Sequence, residues 1–240
     1  MNTYRNIFGV LALLSTVSSS AFAEKDLTES EQKLYGNHTG RVTVSGFIGS
    51  GDDLTRAGNL GKGYSTGGGD IGFDWGMFGN QTKFKTHLGG EVSTSLGFRG
   101  GRTFDDGTTT DGGLAFRVDG AFSYGVAHGD LGLPVRLTFF TGPGFTYDPD
   151  YVAEDNYAYL LLGFRGGVRV GETTDLQLQY VYVPGTTSSS YYIREHRLEG
   201  ALHFGPLAAG ARYQIQTMTT NDEKSSANAP RLGAFVGYAF

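Results

Sequence analysis

Apolar and polar residues alternate along most of the chain from residue 41 onward. The segment 70–75, for example, reads Asp-Ile-Gly-Phe-Asp-Trp, and the segment 134–139 reads Pro-Val-Arg-Leu-Thr-Phe. A period of two residues is typical of β-strands whose two faces meet different surroundings. The pattern predicts an all-β fold with about ten strands, within a range of about 8 to 12.

The connections between these segments alternate in length. Short turns are predicted at residues 79–81, 128–132, 171–174 and 205–207, and longer polar loops at residues 51–66, 101–113, 146–156, 184–190 and 219–230. Short turns at one end and long loops at the other are the arrangement of membrane-spanning barrels. Aromatic residues near strand ends favour such a barrel over a soluble sandwich. We therefore predict a transmembrane antiparallel up-and-down β-barrel over residues 41–240.

The last segment of the chain, residues 231–240, strengthens this interpretation. Leu232, Val236, Tyr238 and Phe240 share one parity, and the chain closes on the aromatic residue. This segment resembles the terminal strand of Gram-negative outer-membrane β-barrel proteins. The resemblance implies that Tyr238 and Phe240 belong to a signal read by the barrel-assembly machinery. It also implies that the protein lies in the cell outer membrane.

The first 23 residues have the pattern of a secretory signal peptide. Arg5 supplies a positive charge, residues 7–17 form a short apolar core, and Ala21 and Ala23 give a small-x-small cleavage site before Glu24. An apolar core of this length is too short to span a bilayer as a helix. Residues 24–40 are predicted to be a periplasmic N-terminal segment, either a small plug or a mobile tail.

Composition changes this picture little. A mean hydropathy of −0.23 and 18% charged residues resemble values for soluble proteins. A barrel with a polar interior offsets its lipid-facing band in any such average, so hydropathy does not exclude a membrane protein. The chain has 39 Gly and no Cys, which fits an exported protein without disulfides.

In a closed barrel, the residues at the polar positions of each alternating strand face the lumen. The charged or titratable residues predicted there are Asp70, Asp74, His87, Glu91, Arg99, Arg117, Asp119, Arg136, Arg165, Arg169, Glu195, Arg197, Glu199 and Arg212. Cations and anions nearly balance, which favours a network of ion pairs in a packed lumen. A narrow water-filled path for small solutes is the alternative. On the eighth strand, Glu195, Arg197 and Glu199 are expected to form a cross-strand ladder of alternating charge.

One part of this set has the composition of a catalytic or metal site. Pairing about a turn at 79–81 would place Asp74 near His87 and Asp70 near Glu91, and such a group could act as a base or bind a metal. A substrate would have poor access to these side chains inside a filled lumen, so we interpret them as part of the charge network. We predict no catalytic residues, no metal and no cofactor.

The outward parity of the eighth strand carries Tyr192, Arg194 and His196, a possible contact for lipopolysaccharide phosphates. No Ser, His and acid set surrounds His196, and the motifs of barrel lipases, lipid A deacylases and surface proteases are absent. The predicted function is an integral outer-membrane barrel, structural or a narrow small-solute pore. The alternatives are an outer-membrane enzyme acting on lipid or peptide, and an adhesin or receptor that uses the long loops. The expected partners are membrane lipid and lipopolysaccharide, not nucleic acid, and the oligomeric state is left open.

Overall fold

The structure is a computed structural model that describes residues 40–52, 63–81, 86–128, 135–149, 156–170, 173–187, 191–220 and 226–240. The predicted signal peptide and nearly all of the predicted N-terminal segment lie outside the described residues. No helix in the described ranges is long and apolar enough to cross a membrane.

The described residues form ten antiparallel strands that close into one barrel. The strands are β1 Gly40–Asp52, β2 Gly63–Gln81, β3 Thr86–Phe104, β4 Gly113–His128, β5 Val135–Tyr147, β6 Tyr157–Arg169, β7 Thr174–Thr187, β8 Tyr191–Phe204, β9 Leu207–Thr220 and β10 Ser226–Ala239. Each strand pairs with its neighbours in the sequence, and β1 pairs with β10 from Arg41↔Ala239 to Gly49↔Arg231. The predicted fold and strand number are confirmed.

The two faces of the wall have opposite chemistry. Large apolar side chains point outward and stay exposed: Ile48 is 71% exposed, Leu114 66% and Val236 62%. Inward-facing polar side chains such as Thr43 and Thr138 are almost fully buried. An apolar outside and a polar inside reverse the order of a soluble protein and suit a barrel surrounded by lipid.

The β2–β3 connection differs from the prediction. Strand β2 continues through Gln81, and its last pairs are Gly79↔Leu88 and Gln81↔Thr86. The predicted turn at 79–81 is therefore wrong, because cross-strand pairing overrides the turn preference of the Gly-Asn dipeptide there. The register consequently shifts, and Asp74 pairs with Ser93 instead of His87.

Gly89 and Gly90 lie in the interior of β3, where paired glycines often mark a β-bulge, but they form none here. Both pair in regular succession with β2 and β4. The register shifts lie elsewhere, between Thr66 and Gly68 in β2 and between Val183 and Thr186 in β7. Both shifts lie toward the long-loop end of the barrel.

A cluster of buried apolar side chains fills the half of the lumen near the long loops. Its members are Tyr64, Phe104, Phe140, Tyr157, Tyr159, Leu161, Val181, Val183, Ile193, Met218, Ala227 and Ala229. Glycines make room for the larger rings. A Cβ atom on Gly163 would overlap the ring of its cross-strand partner Phe140. Alternation of small and large inward residues is how small barrels fill their interior.

Candidate functional site in the lumen

Charged side chains of the described residues form four groups in the lumen, and the first of these joins β4 to β8. This central cluster consists of Arg117, Asp119, Glu195 and Arg197. Arg197 donates to Asp119 at 2.7 Å and also to Glu195, while Arg117 donates to both oxygens of Glu195 at 3.1 and 3.2 Å. Two cations therefore face two anions across the lumen.

Two tyrosines of β6 complete the central cluster. Arg197 donates to the Tyr159 hydroxyl at 2.9 Å, and that hydroxyl donates to Asp119. Tyr157 donates to Glu195 at 3.2 Å and accepts from Gln216 at 2.8 Å. Glu195 is fully buried, and a buried carboxylate is tolerated only with this number of hydrogen-bond partners.

The second group, the Phe47 cluster, consists of Asp70, Arg99, Asp148 and Arg231 around the ring of Phe47. Asp148 lies just after β5 and accepts from Arg99 at 2.9 Å and from Arg231 at 2.7 Å. Arg99 also bonds Asp70 at 2.9 Å. The guanidinium carbons of Arg99 and Arg231 lie 4.8 and 4.9 Å from the centroid of the Phe47 ring, within cation–π range.

The environment of Asp148 decides its charge. Burial alone would raise the pKa of this carboxyl group, but the guanidinium groups of Arg231 and then Arg99 outweigh burial and hold the pKa below its ordinary value. Asp148 is therefore ionised at neutral pH. Because β5 and β10 lie on opposite sides of the barrel, the Asp148–Arg231 pair spans the lumen.

The other two groups lie in the half of the lumen near the short turns. In the Glu199 cluster, Arg41 bonds Asp74 at 2.7 Å and Glu199 at 3.4 Å, and Arg212 bonds Glu199 at 2.7 Å. The guanidinium carbons of Arg41 and Arg212 lie 5.7 and 5.0 Å from the centroid of the same ring, that of Phe235. Two cations again accompany two anions.

The Arg165 cluster consists of Glu91, Arg136, Arg165, Arg169 and Asp175. Arg165 makes two parallel bonds to Glu91 at 3.1 and 2.9 Å, and Arg169 bonds Asp175 at 2.7 and 3.0 Å. Arg136 interacts electrostatically with all four of the other members. This cluster has three cations and two anions.

A cavity of about 320 Å³ lies between these groups. Its lining reaches Gly40, His203 and Ala239, which are at the short-turn ends of their strands, so the cavity extends to that mouth of the barrel. On the other side it ends at the central and Phe47 clusters. We call this space the chamber.

The structure brings thirteen of the fourteen predicted lumen residues to these four clusters, and the side chain of His87 lies outside the described part. The expected ladder on β8 is only partly present. Glu199 does pair with Arg212 on β9, but Arg197 binds Asp119 from β4 in place of Glu199. The prediction considered neighbouring strands alone, whereas an arginine side chain is long enough to cross the lumen.

Among the described residues, the charged lumen side chains that the prediction missed include Arg41, Asp148, Asp175 and Arg231. Arg41 and Arg231 lie on the inward parity of β1 and β10 and could have been found from it. Asp148 was assigned to a loop, yet the inward parity of β5 at Thr138, Phe140 and Thr146 continues to Asp148. Extending each strand until its alternation ends would have placed it correctly.

The acid and imidazole group considered for catalysis is not assembled in the predicted way. Asp74, Glu91 and Asp70 bind three different arginines, which are Arg41, Arg165 and Arg99 respectively. Within the described ranges, no three His, Asp or Glu side chains are close enough together to hold a metal ion.

The predicted lipopolysaccharide contact lies on the outer face, where β7 and β8 pair. His196 stacks on Tyr182 with ring centroids 4.9 Å apart and shares a 2.7 Å hydrogen bond with the Tyr180 hydroxyl. Arg194 is exposed and lies over the Tyr192 ring at 5.1 Å. These five side chains form one surface of aromatic rings with a guanidinium group.

The two residues predicted to serve assembly are also on the outer face. Tyr238 and Phe240 are 53% and 59% exposed. The backbone of Phe240 pairs with Gly40, and its ring lies 6.3 Å from that of Phe73. The last residue thus lies at the β1–β10 seam, on the short-turn rim.

A closed antiparallel barrel with an apolar outer band, a charged lumen and turns of unequal length at its two ends defines an outer-membrane β-barrel. The short-turn end of such a barrel faces the periplasm. No family model and no curated protein sequence matches the chain.

Solved structures with a similar fold are bacterial outer-membrane proteins. The outer-membrane protease OmpT from Escherichia coli is 10% identical over 84% of this chain and 96% of its own, with a TM-score of 0.33. The translocator domain of the autotransporter NalP from Neisseria meningitidis is 11% identical over 99% and 96%, with a TM-score of 0.36. An outer-membrane channel from Pseudomonas putida F1 is 12% identical over 90% and 100%, with a TM-score of 0.37. At such values the comparisons assign the chain to no family and to no activity.

Proposed function

We propose that the protein is a structural outer-membrane barrel whose lumen is sealed in its extracellular half and open to the periplasm. The observation that carries this proposal is a layer of side chains with no exposed surface. Val183, Ile193, Glu195, Gln216 and Met218 are all 0% exposed. They lie near the long-loop ends of β7, β8 and β9, where an open pore would have water.

The charged clusters support the same conclusion. The central cluster joins β4 to β8, and the Phe47 cluster joins β5 to β10, so each connects strands on different sides of the barrel. An ion that crossed the lumen would have to break these hydrogen-bonded pairs. Breaking a buried pair costs about 3–5 kcal/mol, which disfavours a steady conducting state.

Planar-bilayer recording tests the sealed lumen. The purified wild-type barrel should show no steady single-channel conductance, while Arg197→Ala should open transiently because Asp119 and Glu195 lose their shared cation. Arg169→Ala is the matched control, since it removes an arginine from the chamber without touching the seal. A steady wild-type conductance that Arg197→Ala leaves unchanged would contradict this function and favour a narrow pore.

A second proposed role concerns the outer surface of Tyr180, Tyr182, Tyr192, Arg194 and His196. A guanidinium group beside aromatic rings suits a lipid phosphate at the membrane interface. We infer that this surface binds lipopolysaccharide. Arg194→Ala should reduce the thermal stabilisation that added lipopolysaccharide gives the folded barrel. Thr217→Ala changes the cross-strand partner of Arg194 and should leave this stabilisation unchanged. Equal stabilisation of the wild type, Arg194→Ala and Thr217→Ala would exclude the role.

The ends of the chain complete the proposal. Cleavage before Glu24 would deliver the protein to the periplasm, and Tyr238 and Phe240 would then engage the barrel-assembly machinery. Deletion of Phe240 should lower the amount of folded, heat-modifiable protein in the outer membrane, and Phe240→Tyr should preserve it. Normal assembly of the truncated chain would contradict the assembly role of this residue.

A further inference from the structure

The hydrogen-bonded ladder between β6 and β7 stops before these two strands end. Both strands continue toward the long loops, yet the last pair between their described residues on that side is Leu162↔Tyr182. The strands stay side by side beyond this pair, because the Thr186 hydroxyl donates to the Ala158 carbonyl at 2.7 Å. A side chain thus replaces the backbone ladder. We call this stretch, residues 157–161 and 183–187, the β6–β7 break.

A proline accounts for the break. Continuing the register of the last pair, Leu162↔Tyr182, places Pro184 opposite Leu160. The Ala158 carbonyl faces β7, and backbone groups two residues apart in a strand point the same way, so the Leu160 carbonyl also faces β7. Proline has no N–H. The Leu160 carbonyl therefore has no ladder donor opposite it.

The outer face of the break is shaped by Tyr192 of β8. Its hydroxyl donates to the Pro184 carbonyl at 3.1 Å, and a Cβ atom on Gly185 would overlap that hydroxyl. The ring therefore lies against the irregular part of β7 and does not reach across to β6. The Leu160 side chain is 54% exposed on the lipid-facing side. An unpaired carbonyl in such a wall is costly unless a donor from its surroundings meets it.

Arg194 lies at the same depth in the wall as the open carbonyl. The pairs on either side of the register shift in β7 set Pro184 and Gly185 opposite Arg194. Adjacent strands are about 4.8 Å apart, so the backbones of Leu160 and Arg194, two strands apart, are separated by about 10 Å. The Arg194 side chain is exposed and lies over the Tyr192 ring. A cationic donor and a neutral acceptor thus face the outer leaflet side by side.

We propose that the β6–β7 break binds an outer-leaflet amphiphile that carries a phosphate group and an amide-linked acyl chain. The phosphate lies at Arg194, the amide N–H donates to the Leu160 carbonyl, and the acyl chain lies along the exposed Leu160 and Leu162 side chains. An ester in place of the amide has no hydrogen to donate. This inference rests on the proposed binding of lipopolysaccharide by the Arg194 surface, and it names the part of the lipid that the wall distinguishes.

Two probes that differ only in their linkage test the inference. N-palmitoylethanolamine phosphate contains an amide, and the phosphate of palmitoyl ethylene glycol contains an ester at the same place. Calorimetric titration of the folded barrel in a non-ionic detergent, at constant ionic strength, gives the affinity for each probe. The amide probe should bind about three- to tenfold more tightly, because it makes one additional hydrogen bond.

Two proline variants locate this preference. Pro184→Ala gives β7 an N–H opposite Leu160 and should bring the two affinities to within about twofold of each other. Pro143→Ala is the matched control, because Pro143 lies opposite Leu160 on β5, away from the open carbonyl, and it should keep the preference. Heat-modifiable mobility confirms that each variant is folded. Equal affinities for the wild type, or a preference that Pro184→Ala leaves unchanged, would overturn the inference.

Arg194→Gln separates this inference from the role on which it rests. It should weaken both probes by a similar factor, about threefold for an exposed charge, and leave the ratio of their affinities unchanged. Equal binding of both probes that Arg194→Gln still weakens would refute the amide contact alone. Unchanged affinities in Arg194→Gln would contradict the phosphate contact and, with it, the lipopolysaccharide role.

Nuclear magnetic resonance provides a second measurement that depends on neither proline variant. In a barrel labelled with ¹⁵N-leucine, the resonance that is missing from Leu160→Ile identifies the amide at the break. The amide probe should shift this resonance more than that of Leu178, which is 51% exposed but pairs with both neighbouring strands. Equal shifts would indicate general contact with lipid chains in the micelle and would contradict the site.

Discussion

In the extracellular half of the lumen, Val183, Ile193 and Met218 are completely buried, whereas in the periplasmic half Asp74, Asp175 and Arg212 keep about a third of their side-chain surface exposed. Both halves come from strands with the same alternation of residues. They differ in what occupies the inward positions. Rings opposite glycines fill one half, and arginine–carboxylate pairs with space between them line the other.

An ion pair therefore contributes differently to the stability of the fold in each half. In the central cluster Glu195 is fully buried and the side chains of Asp119 and Arg197 are each 13% exposed, so these charges interact strongly and each depends on its partner. The Arg169–Asp175 pair is partly exposed, and water screens it. Substitutions in the extracellular half should therefore lower the free energy of unfolding more than substitutions in the periplasmic half.

Arg197→Ala should have the largest effect. It leaves Asp119 and Glu195 without their shared cation in a buried site, and breaking such a pair costs about 3–5 kcal/mol. Urea unfolding of the barrel in detergent micelles, followed by tryptophan fluorescence, measures the change. Val181→Ala, at the cross-strand partner of Arg197, controls for simple loss of packing. A loss below about 1 kcal/mol would show that the central cluster is not a sealed unit.

Asp148→Asn should reduce stability by roughly 1.5–3 kcal/mol at neutral pH, because a charged acceptor of two guanidinium groups becomes neutral. The folded-state pKa of Asp148 is lowered, so its ionised form stabilises the fold above its unfolded pKa of about 3.9. That contribution is lost as the pH falls through the folded-state value.

The difference in free energy of unfolding between wild type and Asp148→Asn should therefore shrink from about pH 7 to about pH 3. Every other carboxylate is common to both proteins and cancels in the difference. A difference that stays constant over this range would mean that Asp148 is not ionised in the Phe47 cluster.

Gly144→Ala should cost about 1–3 kcal/mol through overpacking. A Cβ atom at this position would overlap the Tyr159 ring and the Asp119 carboxylate. Gly200→Ala is the matched control, since a Cβ atom there has no neighbouring atom within 4 Å. The midpoint of urea unfolding compares the two variants, and equal midpoints would show that the extracellular half of the lumen is loosely packed.

Arg169→Ala should have the smallest effect, below about 1 kcal/mol. Its pair with Asp175 lies at the periplasmic end of the chamber and is partly exposed. The loss of stability should be smaller still in high salt, because dissolved ions screen an exposed ion pair. A loss as large as that of Arg197→Ala would remove the distinction between the two halves.

The alternation of residues was sufficient to predict the barrel, its strand number and the inward direction of most charges. The inward or outward direction of a residue follows from the alternation around it, so an error in the position of a turn does not change that prediction. The β2–β3 register was missed because the Gly-Asn dipeptide at 79–80 suits a turn and also pairs within a strand. Partners across the lumen, such as Arg117 and Glu195, could not be predicted, because they depend on barrel closure and on side-chain length rather than on neighbouring strands.

The β1–β10 seam has a consequence for the kinetics of folding. Arg41 pairs with Ala239 on that seam, and its side chain contacts Glu199, so these contacts join distant parts of the chain. Contacts of high sequence separation form late and slow the folding of β proteins. Neighbouring strands can form hairpins early, but the cross-lumen ion pairs require a closed wall. Refolding from urea into micelles should therefore give β-sheet circular dichroism before it gives resistance to protease.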